Sequence, residues 1–322
     1  MSTQRTKNIG ILGAGAFGTA LALSYCKENK VTIFSCFEDH VESMKNSRKN
    51  EFLSGFDIPL DIAIGNISNM KSYSFDYLLW SFPIKPSLAI LDSIKSFINS
   101  PVIICSKGIL ENGGFLLDSF KSILEESKVG YMSGPTFAND LALYNFSVAD
   151  IGAERIEDAE VFAKELSNKY FKLKATSDVI GMQIAGAVKN IIAIACGIVS
   201  GLNLGESAHA SVFTFGLCEM KNLGLKLGGA ESTFYGLSGL GDLVMTASSD
   251  TSRNRSFGKR VATGEPVENI LKTTTAVCEG FQTLPQIISL AKKYGVMLPI
   301  CESVYGILFE KKEPNSIIDV FN

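Results

Sequence analysis

Residues 8–22 read Asn8-Ile9-Gly10-Ile11-Leu12-Gly13-Ala14-Gly15-Ala16-Phe17-Gly18-Thr19-Ala20-Leu21-Ala22. The apolar run 8–12 suits a buried strand, the stretch 17–27 has helical spacing, and glycines 13, 15 and 18 lie at the junction. Each glycine has a separate use in such a turn. Gly13 permits the tight bend, Gly15 lets the backbone approach a pyrophosphate, and Gly18 lets the helix pack close to the strand. The helix N-terminus then faces the anion with unpaired N–H groups. Strand, glycines and helix together read as a dinucleotide site; the competing reading is a glycine-rich turn that binds nothing. Arg5 and Lys7 ahead of an apolar stretch also outline a secretory signal, but a signal core is richer in leucine and poorer in glycine.

The rest of the chain repeats the strand–helix alternation. Further strands are expected at 31–34, 75–80, 102–105, 129–132, 146–151 and 171–175, with helices at 88–97, 116–125 and 158–166 between them. This pattern implies an α/β fold, a Rossmann-type doubly wound sheet that is mainly parallel, with room for an antiparallel edge in the last two or three strands. After Ser177 the texture changes. Ser177 or Asp178 can cap a helix with apolar residues at 180, 184, 188, 191, 192, 195 and 198, and helical stretches follow at 211–223, 231–235, 267–271, 282–294 and 300–309. The expected division is a dinucleotide-binding domain over 1–180 and an all-helical C-terminal, substrate-binding domain over 181–322, a length that itself favours two domains.

Composition excludes several classes of protein. Hydrophobic residues make up 46% and charged residues 20%, as in ordinary globular chains. Thirty basic against thirty-three acidic side chains argue against nucleic acid as a partner. Seven scattered cysteines without a CxxC pair suit reduced thiols in the cytoplasm, and no metal-ligand spacing appears. The longest uncharged apolar run, about 191–199, is short of the roughly 20 residues that span a bilayer, so the chain reads as soluble.

Chemistry-bearing residues fall in a few clusters. Lys189-Asn190 interrupts an apolar helix, where an ammonium is costly unless it faces a polar cleft; a snorkelling lysine is the ordinary alternative. Lys107 ends a strand, the side of an open parallel sheet where ligands bind, and two neighbouring lysines depress at least one pKa. Asp242, after Gly239-Leu240-Gly241, can orient a lysine or a hydroxyl, or simply close a turn. Asp250-Thr251-Ser252-Arg253-Asn254-Arg255 concentrates guanidinium, hydroxyl and amide groups suited to phosphate, though a solvated surface turn has the same composition. Ser133-Gly134-Pro135-Thr136-Phe137-Ala138 is a second strand-to-helix turn able to meet an anion. At the end of the second strand, Phe34-Ser35-Cys36-Phe37-Glu38 carries neither the usual acid of an NAD site nor the arginine of an NADP site at the expected position. Glu38 reads equally as a ribose ligand and as a solvated helix-start residue.

Taken in order, these motifs resemble the bacterial-type NAD(P)-dependent sn-glycerol-3-phosphate dehydrogenases over essentially the whole chain. The likeness rests on Gly13–Ala22, Ser106-Lys107-Gly108, Ser133–Ala138, Gly186–Asn190, Gly239–Leu243, Ser252–Arg255 and Cys278-Glu279-Gly280. It implies reversible hydride transfer between NAD(P)H and dihydroxyacetone phosphate, giving sn-glycerol 3-phosphate for glycerophospholipid synthesis, in a cytoplasmic homodimer that does not span the membrane. On that resemblance Lys189 is the proton donor and acceptor, Lys107 polarises the carbonyl and Asp242 orients the lysine or a substrate hydroxyl. Substrate would meet Lys107, Gly134, Thr136, Lys189, Asp242, Ser252, Arg253 and Asn254. The cofactor, NAD or NADP, would meet Gly13, Gly15, Ala16, Phe17, Gly18, Cys36, Lys107, Ala138, Arg253, Val277 and Glu279. Departures occur at Phe34-Ser35-Cys36, at His209 and Phe215, where relatives commonly have arginine, and in Ser81-Phe82-Pro83-Ile84. A β-hydroxyacid dehydrogenase or ketopantoate-type reductase also fits two domains and a helical lysine, but does not demand the polar density of Ser252-Arg253-Asn254. A silent nucleotide sensor predicts a lost lysine, whereas Lys107, Lys189 and Asp242 are all present.

Overall fold

Every strand expected from the sequence forms, and one more joins them. The computed structural model describes residues 5–124, 128–273 and 278–321. Its strands are β1 (Asn8–Leu12), β2 (Lys30–Ser35), β3 (Ile62–Asn66), β4 (Tyr77–Trp80), β5 (Val102–Ile104), β6 (Val129–Ser133), β7 (Ser147–Gly152) and β8 (Phe171–Thr176). They form one sheet in the order β3-β2-β1-β4-β5-β6-β7-β8. The first six positions follow the 3-2-1-4-5-6 order of dinucleotide-binding sheets, with the reversal of direction beside β1. Pairing is parallel throughout β3-β2-β1-β4-β5-β6, and β7 and β8 run parallel to one another. The unexpected strand, β3, is held by register with β2 from Val31↔Ile62 to Ser35↔Asn66. Its Gly65-Asn66 ending gives little local strand signal.

Two compact units divide the chain: Met1–Ser106, Leu116–Met132 and Thr136–Ser177 form the first, and Lys107–Phe115, Ser133–Pro135 and Asp178–Asn322 the second. Helices of the first unit are α1 (Ala16–Tyr25), α2 (Glu38–Ser47), α3 (Ile84–Ile94), α4 (Leu116–Ile123), α5 (Ala138–Ala142) and α6 (Ile156–Leu166). Of these, α2 has no strong apolar stripe; Val41 and Met44 alone are buried along it, which is why its periodicity is faint. The expected end of the fourth helix, Glu125, lies outside the described residues. Gly13 and Gly18 take the backbone and packing positions expected of them. Gly13 has φ +114°, and a Cβ there would sit 2.7 Å from the Phe82 backbone nitrogen. A Cβ on Gly18 would sit 1.9 Å from the Gly13 carbonyl oxygen, while one on Gly15 would meet nothing within 4 Å. Gly18 therefore closes α1 onto β1, and Gly15 leaves an open face at the N-terminus of the helix.

The second unit carries α7 (Val179–Gly201), α8 (Glu206–Lys226), α9 (Glu231–Tyr235), α10 (Asp242–Ser248), α11 (Arg253–Ala262), α12 (Val267–Thr273), α13 (Glu279–Tyr294) and α14 (Pro299–Phe309). No strand forms among the described residues after Ser177. Asp178 is the N-cap of α7, accepting from the Gly181 N–H at 2.9 Å. By length and composition the 23-residue α7 is apolar enough to cross a membrane, longer than its uncharged run suggests. Here it is the core of the unit: every residue from Gly181 to Val199 is buried. Helix α11 lies directly against it. A Cβ on Gly197 would come within 2.1 Å of the Arg255 carbonyl oxygen, and one on Gly258 within 2.1 Å of that of Ile194. These glycines bring the two backbones together and fix α11 relative to Lys189.

Gly18→Ala is expected to lower stability by about 1–3 kcal/mol, because the obstructing atom is backbone and cannot rotate away. Gly15→Ala, at φ −79° in open space, should change stability by less than about 0.5 kcal/mol. Thermal or urea unfolding of the two variants separates the packing glycine from the open one.

Candidate active site

Asp242 is fully buried at the start of α10, directly after a π-helical turn spanning Leu237–Gly241. The turn is built by close approach: a Cβ on Gly239 would lie 2.3 Å from the Phe234 carbonyl oxygen. π-Turns often mark functional sites, and here the turn delivers a carboxylate into the core. Asp242 Oδ1 accepts from Lys189 Nζ at 2.8 Å, and Oδ2 from Lys107 Nζ at 2.6 Å. Thr246, one turn along α10, accepts from Lys189 Nζ at 2.8 Å and donates to the Asp242 main-chain oxygen at 2.7 Å. Two of the three Lys189 N–H donors are thereby fixed. Both lysines and the aspartate, singled out in the sequence, meet at one point; Thr246 was missed. Its spacing of four from Asp242 was visible, but it gains meaning only once α10 is known to begin at Asp242.

The electrostatics distinguish the two lysines. Burial drives the Lys189 pKa down, Asp242 opposes it and the neighbouring Lys107 ammonium adds to the fall, leaving it lowered to about 8. For Lys107, with 16% of its side chain exposed, burial also pulls downward, but the Asp242 carboxylate outweighs it and the pKa is raised. Burial alone would raise the Asp242 pKa; the two ammonium groups win and hold the carboxyl below its ordinary value. Of the two ammonium groups, Lys189 is therefore the one whose pKa lies nearer neutrality, and Lys107 is held as a cation.

Beside Lys189 on α7, Asn190 connects two other candidate residues. Its Nδ2 donates to Glu279 Oε2 at 3.0 Å, and its Oδ1 accepts from Asn254 Nδ2 at 2.9 Å. Asn254 Oδ1 in turn accepts from the Gly280 N–H at 3.0 Å and the Cys278 thiol at 3.1 Å. Glu279, at the start of α13, also acts electrostatically on both lysines. Asn190 was quoted in the sequence motif without a role of its own.

Around the α11 N-terminus the expected cluster is only partly available. Ser252 is the N-cap, its Oγ accepting from the Arg255 N–H at 3.3 Å, which leaves its hydroxyl proton to donate elsewhere. Arg253 is exposed. The second guanidinium of this stretch is committed: Arg255 pairs with Asp250 and donates to Ser200 Oγ at 3.2 Å. Only Arg253 of the two guanidinium groups in this stretch was expected at the substrate, and α11 turns Arg255 toward α7. A cavity of about 340 Å³ beside this helix end is lined by Ser252, Arg253, Ser256, Arg260 and Cys278 among others. Gly134, at φ +155°, lies in the turn after β6, followed by Thr136, and Ala138 opens α5. His209 faces the Ala247 carbonyl at 3.3 Å, and Phe215 is an exposed residue of α8 against Phe321. Among the described residues, no cluster of three or more His, Cys, Asp or Glu could hold a metal ion.

In the first unit, the residues expected at the cofactor sit around the glycine turn and the end of β2. Gly15 is the N-cap of α1 with no side-chain bond to the helix N–H groups, and Ala16 and Phe17 begin the helix. An open backbone face beside uncapped N–H groups is what a pyrophosphate requires, so these residues fit a dinucleotide. Cys36, just past β2, is half-buried, and burial raises its pKa. Val277 lies outside the described residues.

Comparison with known proteins identifies the family to which both parts of the chain belong. Residues 8–159 match the family model for the N-terminus of NAD-dependent glycerol-3-phosphate dehydrogenase, and residues 178–319 match the model for its C-terminus. Glycerol-3-phosphate dehydrogenase [NAD(P)+] of Wigglesworthia glossinidia brevipalpis is 36% identical, covering 98% of each chain. A counterpart of the same name from Syntrophotalea carbinolica is also 36% identical, over 97% of this chain and 96% of its own. The crystal structure of glycerol-3-phosphate dehydrogenase from Coxiella burnetii superimposes with a TM-score of 0.93 at 30% identity, covering 98% of both chains. With both family models matched in sequence order and relatives aligned over nearly their full length, the chain belongs to the NAD(P)-dependent glycerol-3-phosphate dehydrogenase family.

Proposed function

We propose that this chain interconverts dihydroxyacetone phosphate and sn-glycerol 3-phosphate, with Lys189 exchanging the proton at the substrate C2 oxygen. The carrying observation is the buried cluster of Lys189, Asp242, Lys107 and Thr246, which holds one ammonium with a pKa near 8 beside another that stays charged. When bound, the nicotinamide supplies or accepts the hydride. In the reducing direction Lys189 donates a proton to the forming alkoxide while Lys107 stabilises its charge; in the oxidising direction neutral Lys189 takes the hydroxyl proton. Asp242 and Thr246 keep Lys189 in position for both.

Substrate phosphate recognition falls to Arg253, Ser252 and Asn254, with Gly134 and Thr136 contributing turn N–H groups. The cofactor would be held by Gly13, Gly15, Ala16, Phe17, Gly18 and Cys36, with Lys107, Ala138, Arg253, Val277 and Glu279 completing the set. Residues 1–180 then act as the dinucleotide-binding part and 181–322 as the substrate-binding part. The family resemblance also supports a homodimer in the cytoplasm whose product enters glycerophospholipid synthesis; all seven cysteines are free thiols, as a reducing compartment favours.

Nicotinamide absorbance with dihydroxyacetone phosphate tests the reading directly. Lys189→Ala should lower kcat by about a thousandfold, whereas folded wild-type protein that turns over neither substrate nor product would sink the assignment. The pH dependence has opposite signs in the two directions. Reduction needs protonated Lys189 and should decline as pH rises through about 8; oxidation needs the free amine and should rise over the same range. Thr246→Val, which removes one hydrogen bond to the ammonium but not its counter-charge, is expected to lower kcat by roughly tenfold with a small change in KM.

A further inference from the structure

Strand β2 ends in a turn whose polar groups are tied down. Ser35 Oγ accepts from the Phe37 N–H at 3.2 Å and lies 3.1 Å from His40 Nδ1. His40 Nε2 lies 3.3 Å from Asn50 Oδ1. Buried Asn50 then donates from Nδ2 to the Ala14 carbonyl at 3.0 Å and to Thr19 Oγ1 at 2.7 Å. A continuous polar chain therefore joins the end of β2 to the glycine turn and to α1, all within the first unit.

Glu38 stands on this fixed turn, 20 residues beyond Gly18 and at the first position of α2. Its side chain is exposed but tied at one oxygen. Oε2 accepts from Asn66 Nδ2 at 2.8 Å, and Asn66 is held in place because its Oδ1 accepts from the Ser68 N–H at 3.0 Å and the Ser68 hydroxyl at 2.8 Å. Asn66 ends β3, paired with Ser35 at the end of β2. The carboxylate is thus anchored through one oxygen at the strand ends where a dinucleotide-binding sheet meets the adenosine ribose.

The turn itself carries no basic residue, and two of the nearby cations have partners of their own. No lysine or arginine occurs from Ser35 to His40. Arg48, beyond α2, donates to the carbonyls of Ile58, Pro59 and Ile62. Lys49 faces Asp57, Lys45 lies in the last turn of α2, and Lys71 belongs to the 3-10 segment after β3.

We propose that Glu38, positioned by Asn66, makes this chain selective for NAD(H) over NADP(H), accepting a ribose hydroxyl and repelling a 2′-phosphate. The inference rests on the dinucleotide reading of the glycine turn and goes beyond it by choosing one cofactor. A carboxylate that only complements the α2 dipole would act equally on both cofactors and would need no anchor from β3.

Titration of the full chain with NADH and with NADPH, read by nicotinamide fluorescence without substrate, tests this independently of turnover. Wild type should bind NADH at least about tenfold more tightly than NADPH. Glu38→Gln should weaken NADH by roughly three- to tenfold and tighten NADPH, bringing the two Kd values close together. Asn66→Ala should move the ratio in the same direction by less, and a circular dichroism spectrum matching wild type would show that each variant is folded. Equal or tighter binding of NADPH by wild type, or an unchanged ratio in folded Glu38→Gln, would overturn the proposal. If folded wild type binds neither nucleotide, the underlying dinucleotide reading fails, and this inference with it.

Discussion

Asp242, without solvent exposure, receives Lys107 on one carboxylate oxygen and Lys189 on the other. Buried charges persist only when paired and hydrogen-bonded; removing the shared partner of a buried ionic cluster costs about 3–5 kcal/mol. The same contact has a chemical consequence. Burial pulls both ammonium groups down, and Lys107 adds to the fall at Lys189; with Asp242 present, Lys107 remains a cation and Lys189 is left at about 8. Glu279 brings a second carboxylate toward the two lysines, so the cluster is close to electrically balanced when both acids are ionised. At the start of α11, Arg253 is exposed whereas Arg255 is paired with Asp250.

The framework of the second unit serves this arrangement through backbone contacts more than through side-chain bulk. Gly197 and Gly258 let α11 lie against α7, and the π-turn of Leu237–Gly241 sets Asp242 at the head of α10. Asn190, one residue from Lys189, then ties α7 to the starts of both α11 and α13. A small displacement at either glycine contact would move Ser252 and Asn254 relative to Lys189 together, because one helix carries them both.

Much of this was legible from residue order. The glycines at 13, 15 and 18 announced both β1 and the turn, and Lys189 stood out because a charge amid isoleucines and alanines demands an explanation. Lys107 and Asp242 were identifiable as types, though nothing in their spacing of 135 positions indicated that they touch. The elements that escaped did so for physical reasons. Strand β3 depends on pairing with β2, and α2 buries too few apolar residues to show a period. The orientation of Arg255 was not legible, because it depends on where α11 begins, which Ser252 decides by capping it. Thr246 and the anchoring of Glu38 by Asn66 are contacts across helical turns or neighbouring strands, visible only once those elements are in place.

The central helix has a further consequence during synthesis. As α7 emerges, the helices that will bury it have yet to be made, and its apolar composition is that of a membrane anchor. Lys189 is the eleventh of its 23 residues, at the middle, where a lysine opposes insertion by roughly 2.5–3.5 kcal/mol. The lysine that pairs with Asp242 in the finished protein thus also disfavours insertion of the nascent helix, until α8 to α14 arrive to cover it.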